Sequence, residues 1–507
     1  MWQKLTHWWE PVATFWKWVI GIFAGLVLAA LIGVPLTIIL THCPGQLSYQ
    51  ADQCVGVSDA GDVFDPALAD VLGKIRLENQ RIEALGQPTL SIGVLVSMPR
   101  PGDNPGLAIS TREQLEGVYL AQHLANTLST LGGTPLLRLV VGNAGEDTAR
   151  WQSVVPDFID RSQQQGNDRL VAVIASGDSL TPMLDAINQL FGAEIPVMPI
   201  RLTANQLSID PSRVSFPLAR PTPTNADQVR AAVTALKPST RTALLVADTN
   251  PNDFYSTSLA AGFRASYPDA THLLIQPAET YDASLGGVAN TMRGIMTSIC
   301  QSQPDVVYFA GRSAALADFV RALPLRSCPN QRVRVATASD AVIFAADVGR
   351  DSSRNLARGL ESNTEITFTA LAHPDAWTSR PDAFLPGAIA PLRENCADCF
   401  RRLFGDDTLT DGSVITGYDS FRVASDAIRA PAGVNDSPAH VAQWLKRLHG
   451  PLAVAGASGW ISLSDTGDPV NKAVPMLRIQ PDGRLTFDQL VAPQGAPCDP
   501  ARKPPNC

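Results

Sequence analysis

From Leu90 onward the chain alternates between two hydrophobic periods. "LSIGVLVSM" (90–98), "PLLRLVVGN" (135–143), "RLVAVIAS" (169–176) and "IPVMPI" (195–200) are short continuous apolar runs, the signature of strands covered on both faces. The segments between them, 112–133, 148–165 and 180–192, carry helical spacing. In the first of these, Gly117, Ala121, Leu124 and Leu128 share one face, and a Gly-Gly pair stops the helix. The alternation then repeats. Helices are predicted over 229–237, 254–267, 288–301 and 314–323, and strands over 242–248, 272–277, 305–311 and 333–339. Strands alternating with helices mean βαβ units and parallel sheets. About nine strands before position 340 are better served by two similar halves than by one sheet, because a single core stops growing near 250–300 residues.

Past Asp340 the pattern loosens. Residues 382–405 read as helix with a loop. In 417–430, Tyr418, Phe421, Ala424 and Ile428 form one stripe, and 437–448 is a helix with Ser437 as its cap. "GASGWISLSDTGDP" (456–469) combines glycines that permit tight turns with a half-buried strand. Segments 473–480 and 484–491 pair as a hairpin across Pro481-Asp482-Gly483. This C-terminal part is expected to be structural, with no catalytic role for Ser458 or Asp465. Residues 44–89 are a lead-in with a short apolar start, a turn and a helix over 66–85, and the tail 492–507 is Pro-rich and irregular.

The one uncharged stretch, Trp18 to Leu40, changes the compartment. A bilayer needs about 20 such residues. Trp2, Trp8, Trp9, Trp16 and Trp18 cluster before it, Lys4 and Lys17 precede it, and the first charge after it is Asp52. That bias points to a cytoplasmic segment 1–17, a transmembrane anchor 18–40 and an extracytoplasmic remainder. A cleaved signal would have a shorter apolar region, and His42 in "LTHC" stands where lipoprotein processing wants a small residue. The anchor is therefore read as retained. All eight cysteines follow it, as a disulfide framework requires. Proximity pairs Cys43 with Cys54, Cys300 with Cys328, Cys396 with Cys399 and Cys498 with Cys507. A redox or zinc role for "CADC" (396–399) would need a thioredoxin-like context or a second ligand pair, and neither is visible.

Charge and motifs exclude further classes. With 40 basic and 48 acidic residues the net charge is −8, and no Lys/Arg run offers a face for nucleic acid. There is no G-x-S-x-G, no P-loop and no H-E-x-x-H. The seven histidines are scattered, and His123 reads as a surface or core residue of its helix. No enzyme activity, no cofactor and no metal is expected.

The order of features is specific where no single motif is. "SIGVLVSM", "EGVYLAQHLAN", "VAVIASGDS", "IPVMPI", "RVSFPLARPTPTNADQVRAA", "TALLVADTNPNDFYSTSLAAGFRA", "PDVVYFAGRSAALADFVRAL", "GYDSFRVASDAI" and "GASGWISLSDTGDPVNKAVPMLRIQPDGRLTF" follow one another. This succession resembles the type I periplasmic binding proteins, such as the branched-chain-amino-acid binding proteins of ABC importers, from Leu90 to Val491. The resemblance implies a two-lobed α/β fold: two mainly parallel sheets flanked by helices, joined by hinge crossovers and here preceded by one transmembrane helix. It places 90–213 and 332–434 in lobe 1 and 214–331 and 435–491 in lobe 2, after the lead-in 41–89. It also implies a solute-binding protein that presents a small-molecule ligand to an ABC permease or a membrane sensor. The alternative is an interaction module that kept the fold and lost the ligand.

In open α/β sheets ligands bind beyond the carboxyl ends of strands, which selects candidates independently of any family. Ser179 and Thr181, after "VAVIAS", offer hydroxyl and backbone donors at a helix start, and the resemblance assigns that loop to a ligand carboxylate. It likewise implies ligand contacts at Thr203 and Tyr255. Where amino-acid binders of that family carry an acid, this chain has Arg312. A guanidinium cannot accept from an ammonium and favours an anion. Asp340 is the candidate for the missing negative charge.

Overall fold

The computed structural model describes residues 43–500 except 60, 128–133, 206–217, 406–407 and 431–432, together with 16, 18, 19 and 22. The predicted span 18–40 therefore lies almost wholly outside the described residues, among which no helix is long and apolar enough to cross a membrane.

The apolar runs pair into two sheets. The first contains β1 (Ser48–Gln50), β2 (Gln53–Ser58), β3 (Thr89–Val96), β4 (Leu136–Asn143), β5 (Arg169–Ser176) and β6 (Val197–Pro199), in the order β1-β2-β4-β3-β5-β6. Strands β4, β3, β5 and β6 run parallel, and the β1–β2 hairpin joins antiparallel to β4. Helices α1 (Ala69–Ala84), α2 (Pro105–Thr127), α3 (Val155–Gln163) and α4 (Thr181–Gly192) flank this sheet. Every residue of β3 is buried, which is why its sequence is apolar throughout rather than alternating.

The chain crosses into α5 (Asn225–Leu236), whose capping box pairs Thr224 with Asp227. Strands β7 (Thr242–Asp248), β8 (Leu273–Leu274), β9 (Glu279–Tyr281), β10 (Val306–Ala310), β11 (Val333–Thr337) and β12 (Thr364–Thr369) follow. Helices α6 (Phe254–Ser266), α7 (Val288–Ser302), α8 (Ser313–Ala322), α9 (Ala341–Arg350) and α10 (Asn355–Glu361) alternate with them. A second crossover returns the chain to the first lobe as α11 (Ala376–Ser379), α12 (Pro386–Arg393), α13 (Phe400–Phe404), α14 (Ser413–Ile428), α15 (Pro438–Leu445) and the ribbon β13 (Val454–Gly456)–β14 (Gly459–Ile461). A third crossover delivers β15 (Val474–Ile479) and β16 (Leu485–Val491) to the second sheet, whose order is β16-β15-β12-β11-β10-β7-β8 with β9 also on β7.

This corrects the lobe limits read from the sequence. Residues of 332–434 do not all belong to the first lobe: β11 and β12 lie in the second sheet, because Val335 registers with Val307 and Ile366 with Val335. Residues of 435–491 do not all belong to the second: Val441, Trp444, Leu445, Val454 and Ile461 pack in the first core. The chain crosses three times, and hydrophobic period carries no information on which sheet a strand joins. The strand expected over 272–277 is also shorter than predicted; β8 covers Leu273–Leu274 and the unpredicted β9 follows Pro277.

Two helices of the first lobe touch backbone to backbone. A Cβ at Gly117 would run into the Val414 carbonyl, and one at Gly417 into the Gln114 carbonyl, so α2 and α14 lie as close as their glycines allow. The C-terminal stretch has the structural role expected of it. Gly459 takes φ +96°, and Asp419 accepts from the Ala457 and Ser458 amides at 2.6 and 2.8 Å. Three predicted disulfides are present, Cys43–Cys54, Cys300–Cys328 and Cys396–Cys399. Cys498 is also disulfide-bonded, and its predicted partner Cys507 lies outside the described residues.

Candidate functional site

The loops that leave the carboxyl ends of β5 and β6 in the first lobe meet those leaving β7, β10 and β11 in the second. They carry Asp178 and Arg201 on one side, and Asp253, Tyr255, Arg312 and Asp340 on the other. Each residue has a local reason to be there. Asp253 caps α6, accepting from the Tyr255 amide at 3.1 Å and from the Ser256 hydroxyl at 2.6 Å. Asp340 sits at the start of α9, where it accepts from the Ser313 amide at 2.7 Å. Its own amide donates to the Tyr255 hydroxyl at 2.9 Å.

Arg312 is the centre of this group. Its Nε and Nη2 donate to the two carboxylate oxygens of Asp253 at 3.0 and 2.7 Å. Its Nη1 lies 3.2 Å from Asp178 and 3.6 Å from Asp340. The guanidinium stands 4.5 Å over the Tyr255 ring, a cation–π contact. Burial works against its charge, but Asp253, Asp178 and Asp340 outweigh that and hold its pKa well above the ordinary range. Burial likewise opposes the charge of Asp178, yet Arg201 and Arg312 keep its carboxyl below the usual value. For Asp340 burial prevails over Arg312 and raises it. Arg201 donates to Asp178 through Nη2 at 2.6 Å, while its Nε and Nη1 are buried without a hydrogen-bond partner.

A cavity of about 30 Å³ lies between the lobes here, lined by Ser110, Gln114, Arg201, Asp340, Asp411 and Thr416 among others. That is room for a water or two. A wider groove of about 540 Å³ continues past Val342 and Asp411 to Glu113 and Arg350. Burial and the neighbouring Asp411 push Glu113 up to about 11. Among the described residues no cluster of His, Cys, Asp and Glu could hold a metal ion.

Of the six residues predicted from sequence, Tyr255, Arg312 and Asp340 converge on this cavity. The other three stand beside it. The Ser179 hydroxyl accepts from the Ala204 amide at 3.2 Å, and the Ser179 carbonyl accepts from the Phe254 amide across the lobes at 3.1 Å. Thr181 donates across the lobes to Asn252 at 3.3 Å. The Thr203 hydroxyl is buried without a partner. Arg312, expected to favour an external anion, spends its donors on three aspartates of the protein. Sequence reasoning missed Asp178, Arg201 and Asp253. Asp178 and Arg201 lie inside loops already singled out and Asp253 at a helix start, so strand-end position plus charge would have found them. Asp411 and Thr416 follow no strand and gave no signal.

Neither a protein-family model nor a curated protein sequence matches the chain. Solved structures do match its fold. The leucine-binding protein LivK of Thermotoga maritima superposes with a TM-score of 0.57 at 17% identity, covering 81% of this chain and 100% of its own. The branched-chain amino acid transporter substrate-binding protein LivJ of Streptococcus pneumoniae, in complex with isoleucine, gives 0.57 at 15% identity, over 80% and 99%. A solute-binding protein of an ABC transporter from R. palustris, in complex with 4-hydroxybenzoate, gives 0.54 at 14% identity, over 80% and 96%. The chain has the two-lobed fold of the type I periplasmic binding proteins.

Proposed function

We propose, from the premise of this fold, that the protein is a membrane-tethered, extracytoplasmic solute-binding protein without catalytic activity. The anchor is the apolar segment 18–40. The two lobes lie outside and close on a small polar ligand, amino-acid-like or anionic. The closed form is read by a membrane partner, an ABC permease or a sensor. One observation carries the reading: a polar, charged cleft at the carboxyl ends of both sheets, lined from both lobes, where ligands of open α/β folds bind. The free Nε and Nη1 donors of Arg201 in its wall call for an acceptor-bearing group.

A second reading, an interaction module with a degenerate ligand site, is favoured by the direct pairing of Ser179 with Phe254 and by the small cavity. A thermal-shift screen of the full chain in detergent separates the two, using amino acids, dicarboxylates, aromatic acids, polyamines and sugars. A ligand at 100 times its Kd adds about 2.7 kcal/mol. A hit that disappears in Arg201→Ala supports solute binding. A flat screen on folded protein sinks it in favour of the interaction module.

A further inference from the structure

The surroundings of Arg312 make a complete receptor for a guanidinium ion. Asp253 takes the Nε/Nη2 edge bidentately, Asp178 and Asp340 face Nη1, and the Tyr255 ring lies beneath. A planar fork over an aromatic face, with a matched carboxylate on one edge, is the geometry that selects guanidinium over ammonium. Asp178 comes from the first lobe, while Asp253, Asp340 and Tyr255 come from the second. Around this point three carboxylates face two guanidiniums, Arg201 and Arg312.

The lobes are also sewn together immediately beside it. The Phe254 amide donates to the Ser179 carbonyl, Leu180 bridges to Asp253 as an antiparallel pair, and Thr181 reaches Asn252. The loop that would offer its hydroxyls and carbonyl to a solute is thus engaged by the opposite lobe.

We propose that Arg312 is a built-in ligand: its guanidinium bridges the carboxylates of both lobes and latches the cleft shut, so that closure needs no solute. The proposal rests on reading the cleft as a hinged site. A solute would then have to take the place of Arg312 on Asp178, so that closure on it exchanges one bridge between the lobes for another. The guanidinium locus, freed of its side chain, becomes a binding site for small guanidinium compounds.

The Phe254 amide reports the latch directly, because its hydrogen bond exists only when the lobes meet. Hydrogen exchange is measured on the full chain in detergent with no solute added. In the wild type Phe254 is expected to be protected. Arg312→Ala is expected to speed its exchange by about 100-fold or more, the usual scale for truncating one partner of a buried charge pair. The β3 and β10 amides should stay protected, which establishes that the variant is folded. Methylguanidinium chloride at millimolar concentration then restores Phe254 protection in the variant and leaves the wild type unchanged; uncharged methylurea changes neither protein. Asp178→Asn leaves Arg312 on Asp253 and Tyr255, and must also expose Phe254, which keeps the test available if Arg312→Ala fails to fold. An unprotected Phe254 in the wild type overturns the latch, as does unaltered protection in both variants. Exposure in Arg312→Ala without rescue by methylguanidinium overturns the built-in ligand. A flat solute screen would leave Phe254 protected, and a failed latch would leave any solute hit standing, so the two readings fail separately.

Discussion

The two lobes finish the same construction in different ways. Each sheet has a parallel core, and each adds an antiparallel hairpin to one edge: β1–β2 on β4 in the first lobe, β15–β16 on β12 in the second. An uncovered edge presents unpaired amides and carbonyls. In the second lobe β15 pairs β12 from Ile366 to Thr369, and backbone closes the edge. In the first lobe β2 reaches only Val141 to Asn143. The remainder of β4 is closed by side chains. Asn79 donates to the Leu139 carbonyl at 2.8 Å and accepts its amide at 3.2 Å. Asn126 does the same for Leu137 at 3.0 and 2.9 Å. Each carboxamide imitates a strand residue. The first lobe therefore depends on particular buried polar groups, whereas the second depends on backbone pairing and packing.

The sharpest way to break this contrast is the double change Asn79→Ala, Asn126→Ala. It leaves the Leu139 amide and carbonyl and the Leu137 amide buried and unpaired, while Gln122 still donates to the Leu137 carbonyl at 3.1 Å. At about 1–3 kcal/mol for each such loss, partly relieved by relaxation, the first lobe should lose about 4 kcal/mol. Urea unfolding measures the loss, and hydrogen exchange should confine it to β4 and its neighbours. A cost under about 1 kcal/mol would mean that water reaches the edge and that the side-chain closure is unimportant.

Next in size is an acid effect confined to the same lobe. Glu78, on α1, accepts from Asn126 of α2 at 3.1 Å. Burial works against its charge, but hydrogen bonds from Arg81, His123 and Asn126 outweigh this and lower its pKa from 4.5 to about 2. A depressed folded pKa means stability that is fully present above about pH 4.5 and lost as pH falls through 2. The displacement corresponds to about 3 kcal/mol. Wild type should therefore lose first-lobe stability between these limits. Glu78→Gln should be less stable than wild type at pH 6 and nearly equal to it below pH 2. A difference that is flat with pH would remove Glu78 as the cause.

How much of this was legible follows from the same contrast. Helices and parallel strands were readable because burial on both faces writes apolar runs, as in "RLVAVIAS". The β15–β16 hairpin was readable from its Asp-Gly turn. The lead-in strands β1 and β2 were read only as an apolar start and a turn. Neither were the roles of Asn79 and Asn126 visible, since a polar residue on a helix looks solvated until the strand edge it faces is known. The site divides similarly. The resemblance pointed to Tyr255 and to Arg312 in the place of an acid, with Asp340 as the compensating charge, but which charges neutralise one another is decided only when two lobes meet. That is why Arg312 read as a group awaiting an anion and proved to be paired with Asp253 and Asp178.

Two changes in the second lobe test the same contrast where backbone closes the edge. Gly483 turns the β15–β16 hairpin at φ +82°, and a Cβ there would stand 2.6 Å from the Ala345 carbonyl and the Gly349 amide. Gly483→Ala should cost about 2 kcal/mol, from the left-handed conformation and the clash with α9. The loss should appear as faster exchange in β15 and β16, with β4 unaffected.

The smallest expected effect is the most discriminating. Glu365 on β12 joins Arg478 of β15 at 3.0 Å and also pairs with Arg332. This is a polar contact across the closed edge, just as Asn79 is in the first lobe. Here, however, both arginines are exposed, at 63% and 41%, against 14% for Glu365 itself, and the edge is held by backbone. Glu365→Gln should therefore cost only about 1 kcal/mol, the upper end for exposed ion pairs, and most of the cost should disappear in about 1 M salt, where the exposed arginine charges are screened. The loss from Asn79→Ala, Asn126→Ala should change little with salt, because it comes chiefly from neutral amides bonded to buried backbone, and the one carboxylate involved, Glu78 beside Asn126, is itself buried. Measured side by side in low and high salt, the two variants separate an edge closed by side chains from one merely decorated by them. Equal costs with equal salt dependence would erase the distinction between the lobes.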